Sequence, residues 1–213
     1  LNKIVKCKNY YTFDNVEDLK NNININRYIK DNNYFKPEDN YWANGIEEDF
    51  KIICSFFGLT NIKTCWNINY YKGSGASFTG IWYLDNLDFI GLREYTFKDK
   101  NLMVISNSLL DILSKYRKDY DTNIIEGEIT RCKFTGYCHS NTMCFNGIDL
   151  KENEIDEKYS NILIYYVFSE LANWLFDKLR DEYEYITSKK YILNYIVDNK
   201  IEISEKYLKD KNE

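Results

Sequence analysis

The sequence predicts an α+β fold, a mainly antiparallel sheet covered by helices with a helical C-terminal third. Three observations carry that prediction. Between Lys63 and Leu84 apolar residues alternate on both sides of Gly73-Ser74-Gly75-Ala76-Ser77, the pattern of two strands around a glycine-rich segment. Toward the C-terminus, Ile164, Val167, Phe168, Leu171, Trp174, Leu175 and Leu179 recur at helical spacing, opposite Glu170, Asn173, Asp177 and Lys178. The 213 residues are 44% hydrophobic and 29% charged, with 20 tyrosines, enough to bury a sizeable core and to exclude intrinsic disorder. The length fits one α+β domain over residues 1–213, with residues 155–213 as its candidate helical subdomain.

Taken in order, Ile4 to Cys7 reads as a short strand. Asp14 followed by Glu17 has the form of a capping box that opens a helix carrying Val16 and Leu19, and Pro37 marks a break. Ile46, Phe50, Ile53, Cys54 and Phe57 predict a helix from Asn44 onward, which Gly58 stops. Glu47, Glu48 and Asp49 lie in its first turns, where negative charge favours the helix dipole; this reading is preferred to a catalytic carboxylate cluster. Beyond the glycine-rich pair, Leu102 to Ile105 reads as a strand, and Ser108 with Asp111 as the cap of a helix through Leu109, Ile112, Leu113 and Tyr116. Ile124 to Thr130 and Cys132 to Phe145 read as a further pair of strands. Thr187-Ser188 offers a cap before a last helix carrying Tyr191, Ile192, Tyr195 and Ile196.

Net charge is -5 and the pI near 5.2, with both signs interspersed along the chain. No basic arm for duplex nucleic acid is present in such a pattern. The longest apolar stretches, around Ile162 to Phe168 and Ile52 to Phe57, fall short of the roughly 20 residues a membrane span needs, and no signal-peptide core is seen at the N-terminus. A cytoplasmic protein without membrane association is expected. Six cysteines, Cys7, Cys54, Cys65, Cys132, Cys138 and Cys144, are spread over the chain without secretory context and are expected as reduced thiols. Abundant Asn, Ile, Lys and Tyr with a single proline point to an AT-rich coding genome, such as that of a low-GC bacterium or its phages.

Four constellations could carry chemistry. Lys72-Gly73-Ser74-Gly75-Ala76-Ser77 could offer backbone N–H groups to an anion, but its lysine precedes the glycines and a strand follows, so a tight turn or bulge is the preferred reading. His139, the single histidine, neighbours Cys138; adjacent side chains on a strand point to opposite faces, so a nucleophile pair would need a distant thiol such as Cys54 or Cys65. Cys132, Cys138 and Cys144 recur every six residues, too widely for one metal on a straight strand. Asp181, Glu182 and Glu184 with Tyr183 and Tyr185 form an acidic aromatic cluster at a helix C-terminus, where carboxylates oppose the dipole, and make a candidate interaction surface. No cofactor, metal site or complete catalytic set emerges from these residues.

Three segments, Tyr70-Tyr71-Lys72-Gly73-Ser74-Gly75-Ala76-Ser77-Phe78-Thr79-Gly80, Gly136-Tyr137-Cys138-His139-Ser140 and Asp181-Glu182-Tyr183-Glu184-Tyr185-Ile186-Thr187-Ser188, resemble in that order a family of phage and plasmid proteins labelled antitoxin of a toxin-antitoxin stability system. The family's glycine-rich segment reads Gln-Gly-Asp-Gly, whereas Lys72 and Ser74 stand here at the glutamine and aspartate positions. The resemblance implies an accessory protein of a phage or mobile element that binds a bacterial host protein without catalysis, either a defence effector such as a CRISPR nuclease complex or a cognate toxin. The expected contacts are Glu182, Tyr183, Glu184 and Tyr185, with Lys72 and Phe78 as a second patch. The alternative expectation is a protein that sequesters a signalling nucleotide through Lys72, Gly73, Ser74, Gly75, Ser77 and His139. An enzyme using His139 with a cysteine or carboxylate is the third.

Overall fold

The computed structural model describes residues 5–7, 9–32, 40–68, 73–120, 124–131, 138–149 and 157–209. In chain order it contains β1 (Val5–Cys7), β2 (Tyr10–Thr12), α1 (Val16–Asn22), α2 (Ile25–Asp31), α3 (Asn44–Phe56), β3 (Phe57–Asn67), β4 (Gly75–Leu87), α4 (Phe89–Thr96) and α5 (Lys100–Tyr120). There follow β5 (Ile124–Arg131), β6 (Met143–Asp149), α6 (Glu157–Leu163), a π-helical segment (Ile164–Phe168), α7 (Ser169–Ile186), α8 (Lys189–Asp198) and β7 (Ile203–Ser204). The class is α+β with antiparallel sheets and a helical C-terminal region, as the sequence predicts.

The chain divides into two compact units, one formed by residues 1–42 with 181–213 and the other by 43–180. The division differs from a helical subdomain beginning at 155. Residues 157–180 group with the large sheet because their apolar stripe packs on it, so the boundary falls inside α7 instead.

The unit made from both ends of the chain holds a three-stranded antiparallel sheet in the order β1-β2-β7. Its core joins Phe13, Leu19 and Ile29 to Ile192, Ile196 and Ile203, so neither chain segment buries its apolar face without the other. Asn15, one residue later than the cap expected from sequence, opens α1: its Oδ1 accepts from the Asp18 N–H at 2.8 Å, while its Nδ2 donates to the Asp18 carboxylate at 2.8 Å. Its extended backbone, φ -151 and ψ 159, is the conformation a cap requires, and the amide serves as donor and acceptor at once.

In the unit of residues 43–180 the sheet runs β3-β4-β5-β6, each neighbouring pair antiparallel. Alternation places Phe78, Trp82, Ile129 and Phe145 on one buried face. Phe50 of α3 meets Phe78 at 5.3 Å and Trp174 of α7 at 6.3 Å, and Phe168 of the π segment meets Phe145 at 5.2 Å. Gly58 ends α3 as predicted. Its φ of 78 lies in the left-handed region, and a Cβ there would run into the Tyr83 carbonyl, which lets the chain turn from helix directly into β3.

Residues 102–105, read from sequence as a strand, are helical. Leu102, Ile105 and Leu109 are buried at spacings of three and four, and α5 starts at Lys100 behind a cap at Asp99, not at Ser108. Ser108 lies inside the helix, where its hydroxyl donates back to the Val104 carbonyl at 3.0 Å. Asp99 Oδ1 accepts from the N–H groups of Asn101 at 3.0 Å and Leu102 at 3.3 Å, while Oδ2 takes the Trp174 indole N–H at 2.9 Å and lies 3.1 Å from Lys178 Nζ. Partial burial acts to raise the Asp99 carboxyl, but hydrogen bonds from Trp174, Lys178 and Leu102 outweigh it and hold the group below the usual carboxylate range. A carboxyl depressed in the folded state stabilises above its unfolded value of about 3.9, and this contribution fades as pH falls through the lower folded value. Asp99→Ala is therefore expected to lower stability by about 1–2 kcal/mol at neutral pH. Urea unfolding across pH should show a shallower loss of stability below about pH 4 in the variant than in the wild type.

Candidate functional site

The first two segments singled out in the sequence meet on one face of β4. Cys65 of β3 stands directly opposite Ser77 of β4, Trp66 opposite Ala76, and Asn67 opposite Gly75. Directly opposed residues share a face, so the Cys65 side chain projects on the side of Ser77 and Gly75. On that side Cys65 is joined by a disulfide to Cys138, with Cα atoms 5.5 Å apart. The expectation of reduced thiols throughout is corrected here. The spacing of 73 residues hides the pairing in the sequence, and the β3–β4 register creates it.

Cys138 brings His139 and Ser140 over the glycine-rich strand. A Cβ on Gly75 would sit 2.8 Å from the Cys138 carbonyl oxygen and 3.2 Å from both the Cα and Cδ2 of His139, so only glycine admits this approach. His139 is extended, φ -125 and ψ 143, and its Nδ1 accepts the Asn141 N–H at 3.2 Å, capping a short 3-10 turn over Ser140–Thr142. Accepting at Nδ1 places the proton of the neutral ring on Nε2. The Thr142 hydroxyl closes the turn by donating to the His139 carbonyl at 2.6 Å, and Ser169 at the start of α7 donates to the Ser140 carbonyl at 3.5 Å.

This arrangement alters several candidate roles. Gly75 and Ser77 are buried beneath the loop, Ala76 is buried on the opposite face, and all three belong to the β3–β4 ladder; Gly73 and Ser74 are half-buried in the turn before it. The segment is a turn at Gly73 and Ser74, as its preferred reading had it, and already a strand from Gly75, and its buried part is closed to an anion from solvent. Phe78 is fully buried against Phe50, which removes its ring from any contact surface. Lys72 lies outside the described residues. Of the thiols weighed as partners for His139, Cys65 is in the disulfide, and Cys54 is buried in α3, where burial pushes its thiol well above the ordinary value. Of the six-residue cysteine repeat, Cys138 is cross-linked, Cys144 is an exposed free thiol, and Cys132 lies outside the described residues. Glu47 accepts from the Thr64 hydroxyl at 2.6 Å and the Trp66 indole at 2.7 Å, tying α3 to β3, while Glu48 pairs with Lys51. Glu47 and Glu48 thus serve separate ends.

The third segment belongs to the other compact unit. Glu184 and Tyr185 are exposed and Glu182 and Tyr183 half-exposed at the end of α7; Tyr183 packs on Trp42 at 5.7 Å. Tyr185 meets Tyr191 edge-on at 5.1 Å, and Tyr191 stacks on Tyr195 at 6.3 Å, giving a line of three rings from α7 onto α8. Ser188 caps α8 by accepting the Tyr191 N–H at 3.1 Å, which fixes that ring in the line.

Sequence reasoning missed a groove of about 800 Å³ on the outward face of β4–β6, lined by Tyr83, Glu126, Glu128, Asn146 and, from α6, Glu157. The signal was available in the alternation of Glu126 with Glu128 and of Cys144 with Asn146, but the fold was needed to set the two strands side by side. Among the described residues, its lining includes no Lys or Arg.

Residues 42–189 match a family described as "Domain of unknown function (DUF8835)". The chain belongs to the DUF8835 family. The matched region covers the whole 43–180 unit and continues to the start of α8, so all three singled-out segments fall within DUF8835. No curated protein and no solved structure matches the chain.

Four measurements test this site. Gly75→Ala is expected to destabilise the protein by about 1–3 kcal/mol through overpacking against Cys138 and His139. Ser77→Ala, in contrast, should be neutral or stabilise by roughly 1 kcal/mol, because the Ser77 hydroxyl is buried without a hydrogen-bond partner. Alkylation of denatured, unreduced protein followed by peptide mapping should leave Cys65 and Cys138 unlabelled as one cross-linked pair and label Cys54 and Cys144. Reduction should then lower stability by about 2–4 kcal/mol.

Proposed function

We propose that the chain is an accessory protein of a phage or mobile element that binds and inhibits a bacterial host protein, a defence effector such as a CRISPR nuclease complex or a cognate toxin, without catalysis. The observation that carries this reading is the ordered line of Tyr185, Tyr191 and Tyr195 beside Glu182 and Glu184. Rings already held by one another lose little freedom on binding, and tyrosines of this kind supply much of the energy of protein interfaces. Between residues 181 and 198 the sequence has four carboxylates and two lysines, a balance suited to a basic groove that ordinarily holds nucleic acid. The commitment of His139 Nδ1 to a backbone N–H, the Cys65–Cys138 disulfide and the burial of Cys54 support a binding role over nucleophilic chemistry. Sequestration of a nucleotide finds less support, since Gly75 to Ser77 are buried and the groove on the sheet is acidic.

The test is native mass spectrometry of the tagged protein isolated from a bacterial lysate containing defence systems. Wild type is expected to retain a stoichiometric protein partner that a Glu182→Lys/Glu184→Lys double variant loses, with Tyr185→Ala weakening titrated affinity at least tenfold, as a hot-spot residue would. Equal binding by the double variant would remove this surface from the proposal. An added mass of a few nucleotides would replace the inhibitor reading with the nucleotide one.

A further inference from the structure

The α4–α5 pair, within the unit of residues 43–180, carries apolar side chains that neither helix buries. Phe97 is 87% exposed, Ile90 72%, Phe89 57% and Val104 55%. Single exposed apolar residues are ordinary; several gathered along two adjoining helices are the mark of an interaction site. Between the helices runs a groove of about 370 Å³. One wall is Phe89, Leu92, Arg93 and Phe97, and the other is Met103, Ser106, Asn107 and Leu110. Both walls follow helical spacing, with steps of three and four, so the groove runs along the helices and not across them.

The charge in the groove narrows its occupant. Arg93 is exposed on the groove wall, and among the described residues its guanidinium has no carboxylate partner. Glu94 follows Arg93 on α4, where adjacent side chains do not face each other, and Asp99, before α5, is already engaged by Trp174 and Lys178. A guanidinium bordered by apolar surface favours a carboxylate delivered with apolar neighbours, because the pair is then formed in a partly dehydrated setting. An amphipathic helix meets both demands: anchors at i, i+3, i+4 and i+7 fill a groove bounded by two helices, and an acidic residue beside them reaches the arginine.

We infer that the α4–α5 groove is a docking site for an amphipathic helix of a protein partner that carries an acidic residue next to its apolar anchors. The site is built from α4 and α5 alone and does not rest on the inhibitor reading; either can fail while the other stands.

A displayed library of helical peptides selected on the full chain tests the inference. Peptides with apolar residues at helical spacing and an adjacent Asp or Glu should be enriched. Phe97→Asp should weaken a synthesised selected peptide by at least about tenfold, as truncating a central anchor does. Arg93→Glu should reverse the preference, favouring Lys over Glu at the charged position of the same peptide. Both side chains are exposed, so the variants should fold, which circular dichroism verifies. Enrichment that survives Phe97→Asp, or a charge preference unchanged by Arg93→Glu, would overturn the assignment. A wild-type dimer in sedimentation that Phe97→Asp converts to monomer would instead make a second copy of this chain the occupant.

Discussion

The buried indole of Trp82 is the contact on which the rest of the 43–180 unit depends. Its N–H donates to the Phe57 carbonyl at 2.9 Å, at the point where α3 gives way to β3. Its ring packs edge-on against Phe145 of β6 at 6.0 Å and Phe168 of the π segment at 6.4 Å. One side chain thus fixes the helix-to-strand turn, the interior of the sheet and the helix covering it. A buried indole without its acceptor would carry an unmet donor, so the polar bond and the apolar packing have to be satisfied by the same geometry. The left-handed turn at Gly58 is what brings the Phe57 carbonyl within reach.

From that frame follows the position of the loop over β4. The β3–β4 register sets Cys65 opposite Ser77, the disulfide draws Cys138 onto the same face, and Gly75 supplies the missing side chain that lets His139 settle there. Segments some 60 residues apart in sequence thereby become neighbours. The arrangement rests on sheet register, a cross-link and one absent Cβ, none of which needs a ligand to hold it.

Much of the fold was legible in the sequence, for reasons that also mark where legibility ends. The α3 helix and its glycine stop, the strands flanking the glycine-rich turn, and the long apolar stripe of α7 all have strong periodicity that their environment does not contradict. The stretch Leu102–Ile105 was misread because a run of four apolar residues looks the same whether it alternates in a sheet or spirals around a helix. Only burial at 102, 105 and 109 separates the two. α2 and α4, of seven and eight residues, are too short to establish a period against their background. The adjacency of Cys138 and His139 to Gly75 could not be read at all, since nothing local encodes a pairing set by strand register. Of the resemblance segments, the acidic tyrosines at 182–185 stand where the helix pattern places them. Phe78 does not stand at the surface, because the strand alternation around it admits either face until the sheet chooses one.

The unit built from both chain ends imposes an order on biosynthesis. Its core cannot close until Ile192, Ile196 and Ile203 join Phe13, Leu19 and Ile29. With translation at about 5–20 residues per second, the intervening unit takes on the order of ten seconds to emerge. During that interval the early apolar residues have no native surface to cover them, while the central sheet, complete within itself, is free to fold first. A chain cut short before α8 would leave Phe13, Leu19 and Ile29 permanently without the counterpart that buries them.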